Sequence, residues 1–108
     1  MTRLVELCAA DALAKGEMMA VEVAGLPPLA VYNVEGEFFV TSNLCTHAIA
    51  MLTDGYLDGD VIECPLHGGA FDVRTGAVVS APCEAPLKTY ETKVRDGGVC
   101  VVVEELQS

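Results

Sequence analysis

The sequence predicts an all-β domain, on three observations. Turn-forming residues recur at about 8- to 12-residue intervals, with short runs rich in Val, Ile, Tyr, Phe and Thr between them. No stretch carries the 3.6-residue apolar period of a helix long enough to anchor a fold. The chain of 108 residues, 52% of them apolar and 20% charged, has the length of one domain and the composition of a packed one.

In chain order, Leu4 to Leu7 and Met18 to Val23 read as the first strands, and Ala9 to Lys15 allows one helical turn between them. Leu29 to Val34 and Glu37 to Ser42 follow as a pair, joined by the hairpin turn Val34-Glu35-Gly36-Glu37. Asp58-Gly59-Asp60 turns Tyr56-Leu57 back into Val61-Ile62, and Arg74-Thr75-Gly76 links Ala70 to Val73 with Ala77 to Val79. Lys88 to Val94 alternates, with Tyr90, Thr92 and Val94 on one face and Thr89, Glu91 and Lys93 on the other. Asp96-Gly97-Gly98 turns that strand into Val99 to Val103, which is apolar on both faces and therefore central. Two segments fit no strand: Asn43 to Thr53 (NLCTHAIAMLT) and Cys64 to Gly69 (CPLHGG). Each holds a Cys and a His at a strand end, where a rigid sheet can position functional loops.

Charge and residue inventory narrow the function. Six Lys+Arg against 16 Asp+Glu give a net charge of -10, which argues against nucleic acid and anionic lipid, both of which recruit cations. Residues 16–87 hold ten carboxylates and one cation, Arg74, an acidic surface suited both to hydration and to steering toward basic patches. No apolar run reaches the roughly 18 residues of a membrane span. Glu6 and Asp11 interrupt the early apolar stretch that an export signal requires, so the cytoplasm is the expected location. The five cysteines (Cys8, Cys45, Cys64, Cys83 and Cys100) are an odd number for a disulfide framework and point to thiolates with another use. The only histidines are His47 and His67.

Cys45-x-His47 is followed, after 16 residues, by Cys64-x-x-His67. A lone Cys or His in a loop is usually a buried thiol or a satisfied imidazole. Two matched pairs, with Pro65 fixing the backbone after Cys64 and Gly68-Gly69 letting amides crowd inward, point to a metal site instead. Tetrahedral zinc with two Cys and two His is one chemistry that fits. Zinc fingers, however, pair Cys with Cys and His with His, whereas each loop here is mixed. Mixed loops allow both thiolates to go to one iron and both imidazoles to its neighbour, the ligation of a Rieske [2Fe–2S] centre.

CTH at 45–47 and CPLHG at 64–68 resemble the two cluster loops of Rieske proteins. From Cys45 to Pro86, and above all in DGYLDGDVIECPLHGGAFDVRTG, the chain resembles the small ferredoxins of bacterial aromatic-ring dioxygenase systems. The resemblance implies a Rieske fold: an antiparallel β-sandwich base (1–42 and 83–108) carrying a small cluster-binding subdomain of two loops (about 43–82). It implies Cys45, His47, Cys64 and His67 as ligands of one [2Fe–2S] cluster, and Pro82 in a loop that covers it. It further implies a one-electron carrier, monomeric, between a flavin-dependent NAD(P)H ferredoxin reductase and a terminal aromatic-ring-hydroxylating oxygenase. With both histidines committed, none remains for the mononuclear iron of such an oxygenase, so the chain is expected to be an electron-transfer component and not an enzyme. The alternatives are an accessory subunit of another redox system such as a nitrite reductase, a zinc-stabilised β interaction module, and a membrane-tethered Rieske subunit, the last disfavoured by the missing anchor and loop disulfide.

A [2Fe–2S] core with two thiolates and two neutral imidazoles is less negative than one with four thiolates, so His ligation raises the potential. High-potential Rieske proteins carry an extra Cys in each loop and hydroxyl donors to sulfur; the matching positions here are Ala50 and Leu66, and Gly69 and Phe71. The expected potential is therefore near the low end of the Rieske range, about -150 mV. The resemblance also places the His side of the cluster at an exposed tip, the electron exit. Cys8, Cys83 and Cys100 are expected to behave as small buried hydrophobes. Tyr32, Phe38, Phe39 and Tyr90 are expected to pack, as are Met18, Met19 and Met51, with Met51 also shielding the site.

Overall fold

The computed structural model describes residues 2–46, 49–66, 68–81 and 83–104. Its strands are β1 (Thr2–Ala9), β2 (Met18–Val21), β3 (Leu29–Val34), β4 (Glu37–Ser42), β5 (Tyr56–Asp58), β6 (Val61–Glu63), β7 (Ala70–Asp72), β8 (Val78–Ser80), β9 (Thr89–Tyr90), β10 (Thr92–Arg95) and β11 (Gly98–Glu104). Single turns of 3-10 helix occupy Ala10–Ala12 and Leu52–Asp54. The strands form three antiparallel sheets, ordered β1-β11-β10, β2-β3-β4-β9 and β5-β6-β7-β8.

β3 explains how the sheets stack. All six of its residues are buried, and they divide by the two-residue period of a strand. Ala30, Tyr32 and Val34 enter one core together with Ile62, Phe71 and Val73 of the β5–β8 region. Leu29 and Val31 enter another with Val40 and with Val99, Val101 and Val103 of β11. The sheet containing β3 is thus a middle layer with an apolar core on each face. The buried polar side chains of β3 and β4 are matched, whereas the buried Tyr90 hydroxyl of β9 has no hydrogen-bond partner among the described residues. The Asn33 amide nitrogen donates to the Leu13 carbonyl and its oxygen accepts the Gly36 amide, both at 2.8 Å. Thr41 donates to the Ser42 carbonyl at 2.8 Å, which leaves its oxygen to accept the Tyr32 phenol, also at 2.8 Å.

Two hairpins turn where left-handed backbone is expected. Glu35 and Gly36 have φ of 54° and 93°, and Asp96 and Gly97 have 51° and 76°, the paired positive values of a two-residue turn whose twist matches its strands. β11 is central between β1 and β10, as its two apolar faces predict. β3 and β4 have the predicted limits.

Other limits differ. The run expected as one strand from Lys88 to Val94 divides at Glu91: β9 pairs with β4, β10 pairs with β11, and the Glu91 carbonyl accepts the Val102 amide at 2.9 Å. Alternation records which face a residue presents, not which strand lies beside it, so a change of sheet leaves no trace in the pattern. β1 is longer than Leu4 to Leu7 and carries a bulge between Glu6 and Cys8, while β2 stops at Val21. Among the described residues, no helix is long and apolar enough to cross a membrane.

Two features join the β5–β8 sheet to the middle layer. Arg74 reaches Asp60 (3.2 Å) and Glu37 (3.8 Å), and its guanidinium lies 4.9 Å from the centroid of the Phe39 ring. Gly76, at φ +80°, donates to the Asp72 carbonyl at 2.7 Å and accepts the Leu87 amide at 2.8 Å. A Cβ on Gly76 would overlap the Leu87 carbonyl oxygen. Gly76→Ala should therefore lower stability by about 2 kcal/mol or more, through a left-handed conformation and a backbone clash. A drop in urea midpoint at unchanged slope is the expected reading.

Candidate metal centre

β4 delivers the first loop. Beyond Ser42, buried Asn43 donates its amide to the Pro28 carbonyl at 2.8 Å. It accepts from Leu52 at its carbonyl (2.8 Å) and from the Thr53 amide at its side-chain oxygen (2.9 Å). Leu44 and Met51 then form an antiparallel bridge, and the Cys45 amide donates to the Ala50 carbonyl at 3.0 Å. The second loop arises from the β6–β7 pair. Past the Glu63–Ala70 step, the Cys64 amide donates to the Gly69 carbonyl at 2.7 Å.

Both loops are therefore built alike. Each begins at a cysteine whose amide closes on the carbonyl five positions ahead, and each encloses one histidine in sequence. His47 and His67 lie outside the described residues, as does Pro82, expected in a covering loop.

Cys45 and Cys64 are buried, and their thiols interact. Burial pushes the Cys64 thiol above its ordinary range. The Leu66 amide, donating to that sulfur, pulls it back, and Cys45 pushes it up again. A third thiol joins them, Cys83, with its sulfur 4.0 Å from that of Cys45. Burial first, and the nearness of Cys45 and Cys64 second, push Cys83 up to about 11. The Cys83 segment is fastened to both loops. Thr46 donates its hydroxyl to the Ala85 carbonyl at 2.8 Å, and Ser80 donates to the Gly68 carbonyl at 3.2 Å. Gly69 leaves the room this requires, since a Cβ there would overlap the Cys83 sulfur.

Of the four predicted ligands, the structure thus brings the two sulfurs together. The chemistry of this pair fits a cationic iron–sulfur core. Two neighbouring thiolates in an apolar pocket repel and are poorly solvated, whereas a metal core neutralises both and displaces their protons. The amide on Cys64 supplies the kind of donor that ligand sulfurs accept. Among the described residues, which exclude both histidines, no three His, Cys, Asp or Glu side chains form a metal-holding group.

Residues 3–91 match the Rieske [2Fe-2S] domain family. The chain belongs to that family. Its cofactor is accordingly one Rieske-type [2Fe–2S] cluster. The ferredoxin component of the naphthalene 1,2-dioxygenase system of Pseudomonas putida is 47% identical over 92 residues, covering 85% of this chain and 88% of the relative. The solved structure of the Sphingomonas yanoikuyae B1 ferredoxin is 55% identical with a TM-score of 0.89, covering 92% of this chain and 97% of that one. A ferredoxin chain in a complex of reduced oxygenase and oxidized ferredoxin in carbazole 1,9a-dioxygenase is 47% identical with a TM-score of 0.89, covering 97% of each. The antiparallel β architecture expected of a Rieske ferredoxin is thereby borne out.

Two expectations about this Rieske site need correction. Cys83 is buried as expected, but its sulfur lies against the Cys45 thiol instead of serving only as filler. Met51 is not packed: it is 36% exposed, because its bridge to Leu44 sets it on the outer side of the first loop. Met18 and Met19 do pack, as do Tyr32, Phe38, Phe39 and Tyr90. Phe71 is fully buried in the core and offers no hydroxyl to a sulfur.

Gly69→Ala should force the Cys83 sulfur out of place and cut iron and acid-labile sulfide per chain to less than half. Adding Cys83→Ala removes the colliding atom, so the double variant should recover most of the loading, as metal and sulfide analysis would read.

Proposed function

We propose that this chain is the one-electron carrier of an aromatic-ring-hydroxylating dioxygenase system. It takes electrons singly from a flavin-dependent NAD(P)H reductase and delivers them to a terminal oxygenase that itself contains a Rieske centre and non-haem iron. The reading is carried by the two matched loops, in which buried Cys45 and Cys64 meet, each at the start of a loop that also contains a histidine. The names of the relatives support it: a ferredoxin component of a dioxygenase system, and a ferredoxin in complex with its oxygenase.

In this reading Cys45 and Cys64 hold one iron and His47 and His67 hold the other, and residues 43–82 form the cluster-binding unit on a base of 1–42 and 83–108. The bound cluster supplies reversible storage of one electron. The chain's own residues do the rest. Asn43 and the two loop closures fix the distance between the sulfur donors. The Leu66 amide steadies the Cys64 thiolate. Exposed Ile49 and Leu66 give the loops an apolar surface that a partner can cover. The acidic surface quickens encounter with basic partner faces without lengthening the contact, which suits a carrier that visits two proteins in turn. We place the protein in the cytoplasm, as a monomer, where cysteines stay available for metal.

The test is the loaded protein with a dioxygenase-type reductase and oxygenase. Two irons and two sulfides per chain, a rhombic EPR signal on reduction, a midpoint near the low Rieske end, and aromatic product formed in proportion to added protein are expected. Cys45→Ser, Cys64→Ser, and His47→Ala or His67→Ala should each abolish at least nine-tenths of the product yield. One zinc with no sulfide, or a His67→Ala variant with full iron content and turnover, would refute the reading.

A further inference from the structure

Cys83 stands apart from the proposed ligand set, yet its sulfur lies 4.0 Å from that of Cys45, within reach of a hydrogen bond between sulfurs. The thiol is buried among apolar residues of the core that also contains Cys45 and Cys64, an environment that keeps a cysteine protonated. A protonated thiol in such a core has one hydrogen to place, and Cys45 presents an acceptor. The contact is held from two further sides. Thr46 and Ser80 bind the flanking segment to the two loops, and Gly69 leaves vacant the volume that the Cys83 sulfur enters.

We propose that Cys83 is a positioning and tuning residue, whose S–H donates to the Cys45 sulfur and raises the midpoint potential of the centre. The inference rests on the proposed ligation by Cys45. An iron-bound thiolate becomes more negative when the centre gains an electron. A donor to it therefore binds the reduced state more strongly than the oxidised one, and that difference favours reduction. No proton leaves Cys83 and no bond to iron forms; the residue acts through the field of its S–H on one sulfur.

The experiment compares the loaded wild type with Cys83→Ala and Cys83→Ser by redox titration. A weak donor predicts that Cys83→Ala reduces the ratio of reduced to oxidised protein about threefold at fixed ambient potential, a fall of about 30 mV at 59 mV per decade for one electron. Cys83→Ser keeps a donor and should lie between the two. In the wild type, exchange into D2O should displace the Fe–S(Cys) stretching bands in resonance Raman spectra, and the part of that displacement owed to Cys83 should vanish in Cys83→Ala. An unchanged potential with unchanged isotopic displacement would overturn the proposal, as would equal lowering in both variants, which would assign the effect to packing. In either case an intact Rieske EPR signal would leave the ligand assignment standing, whereas loss of the cluster in Cys45→Ser tests that assignment separately.

Discussion

The constraint on which the rest of the molecule depends is the burial of two cysteine sulfurs against each other. Thiolates in an apolar pocket lose hydration and repel, so the arrangement is stable only when protonated or when a cation lies between them. Everything near the site answers that constraint. The amide of each cysteine is committed to closing its own loop, at 3.0 Å for Cys45 and 2.7 Å for Cys64, so the backbone cannot swing the sulfurs apart. Asn43 uses its backbone and both side-chain polar atoms to hold the strand end that carries the first loop. The second loop needs no such clamp, because the β6–β7 ladder continues into it.

Rigidity at the loops is inherited from the middle sheet. A strand buried on both faces cannot shift register by one residue without exchanging its two apolar sets, so β3 locks both cores at once. The core on the site's side runs without interruption from Tyr32 and Ala30 through Ile62 and Phe71 to Cys45, Cys64 and Cys83. The sulfurs are thus part of the packing that holds the sheets together. That explains why the site lies at a seam between sheets: a position shared by two layers is fixed from both. It also limits reorganisation when an electron arrives, since a close-packed surround yields little.

Legibility in the sequence followed the range of each interaction. Strands with local turns were readable, because Glu35-Gly36 and Asp96-Gly97 specify left-handed turns within two residues. The sulfur pair was readable because each cysteine lies beside its loop's other signals, Pro65 and Gly68-Gly69 among them. What escaped depended on distant partners. The exchange of sheets at Glu91 is decided by Val102, and the bulge after Glu6 by the register against β11. Cys83 looked like filler because its meaning lies 38 residues away, at Cys45. Met51 looked like packing because an apolar residue gives no sign of which side of a loop it will occupy.

Arg74, the one cation between residues 16 and 87, is engaged by Asp60 and Glu37 and lies over Phe39, so its charge is partly compensated inside the fold. The pairs are exposed and add little stability. Their effect is positional: they join the site's sheet to the middle layer and leave the remaining carboxylates of the region without a compensating cation from the same stretch. A protein so charged meets a basic surface quickly, and the attraction weakens within about 8 Å at physiological salt. In the proposed function, short-range affinity comes from the small apolar surface of the loops, where Ile49 is fully exposed and Leu66 partly so. Fast encounter combined with modest adhesion is the balance required of a molecule that must leave one partner before it can serve the next.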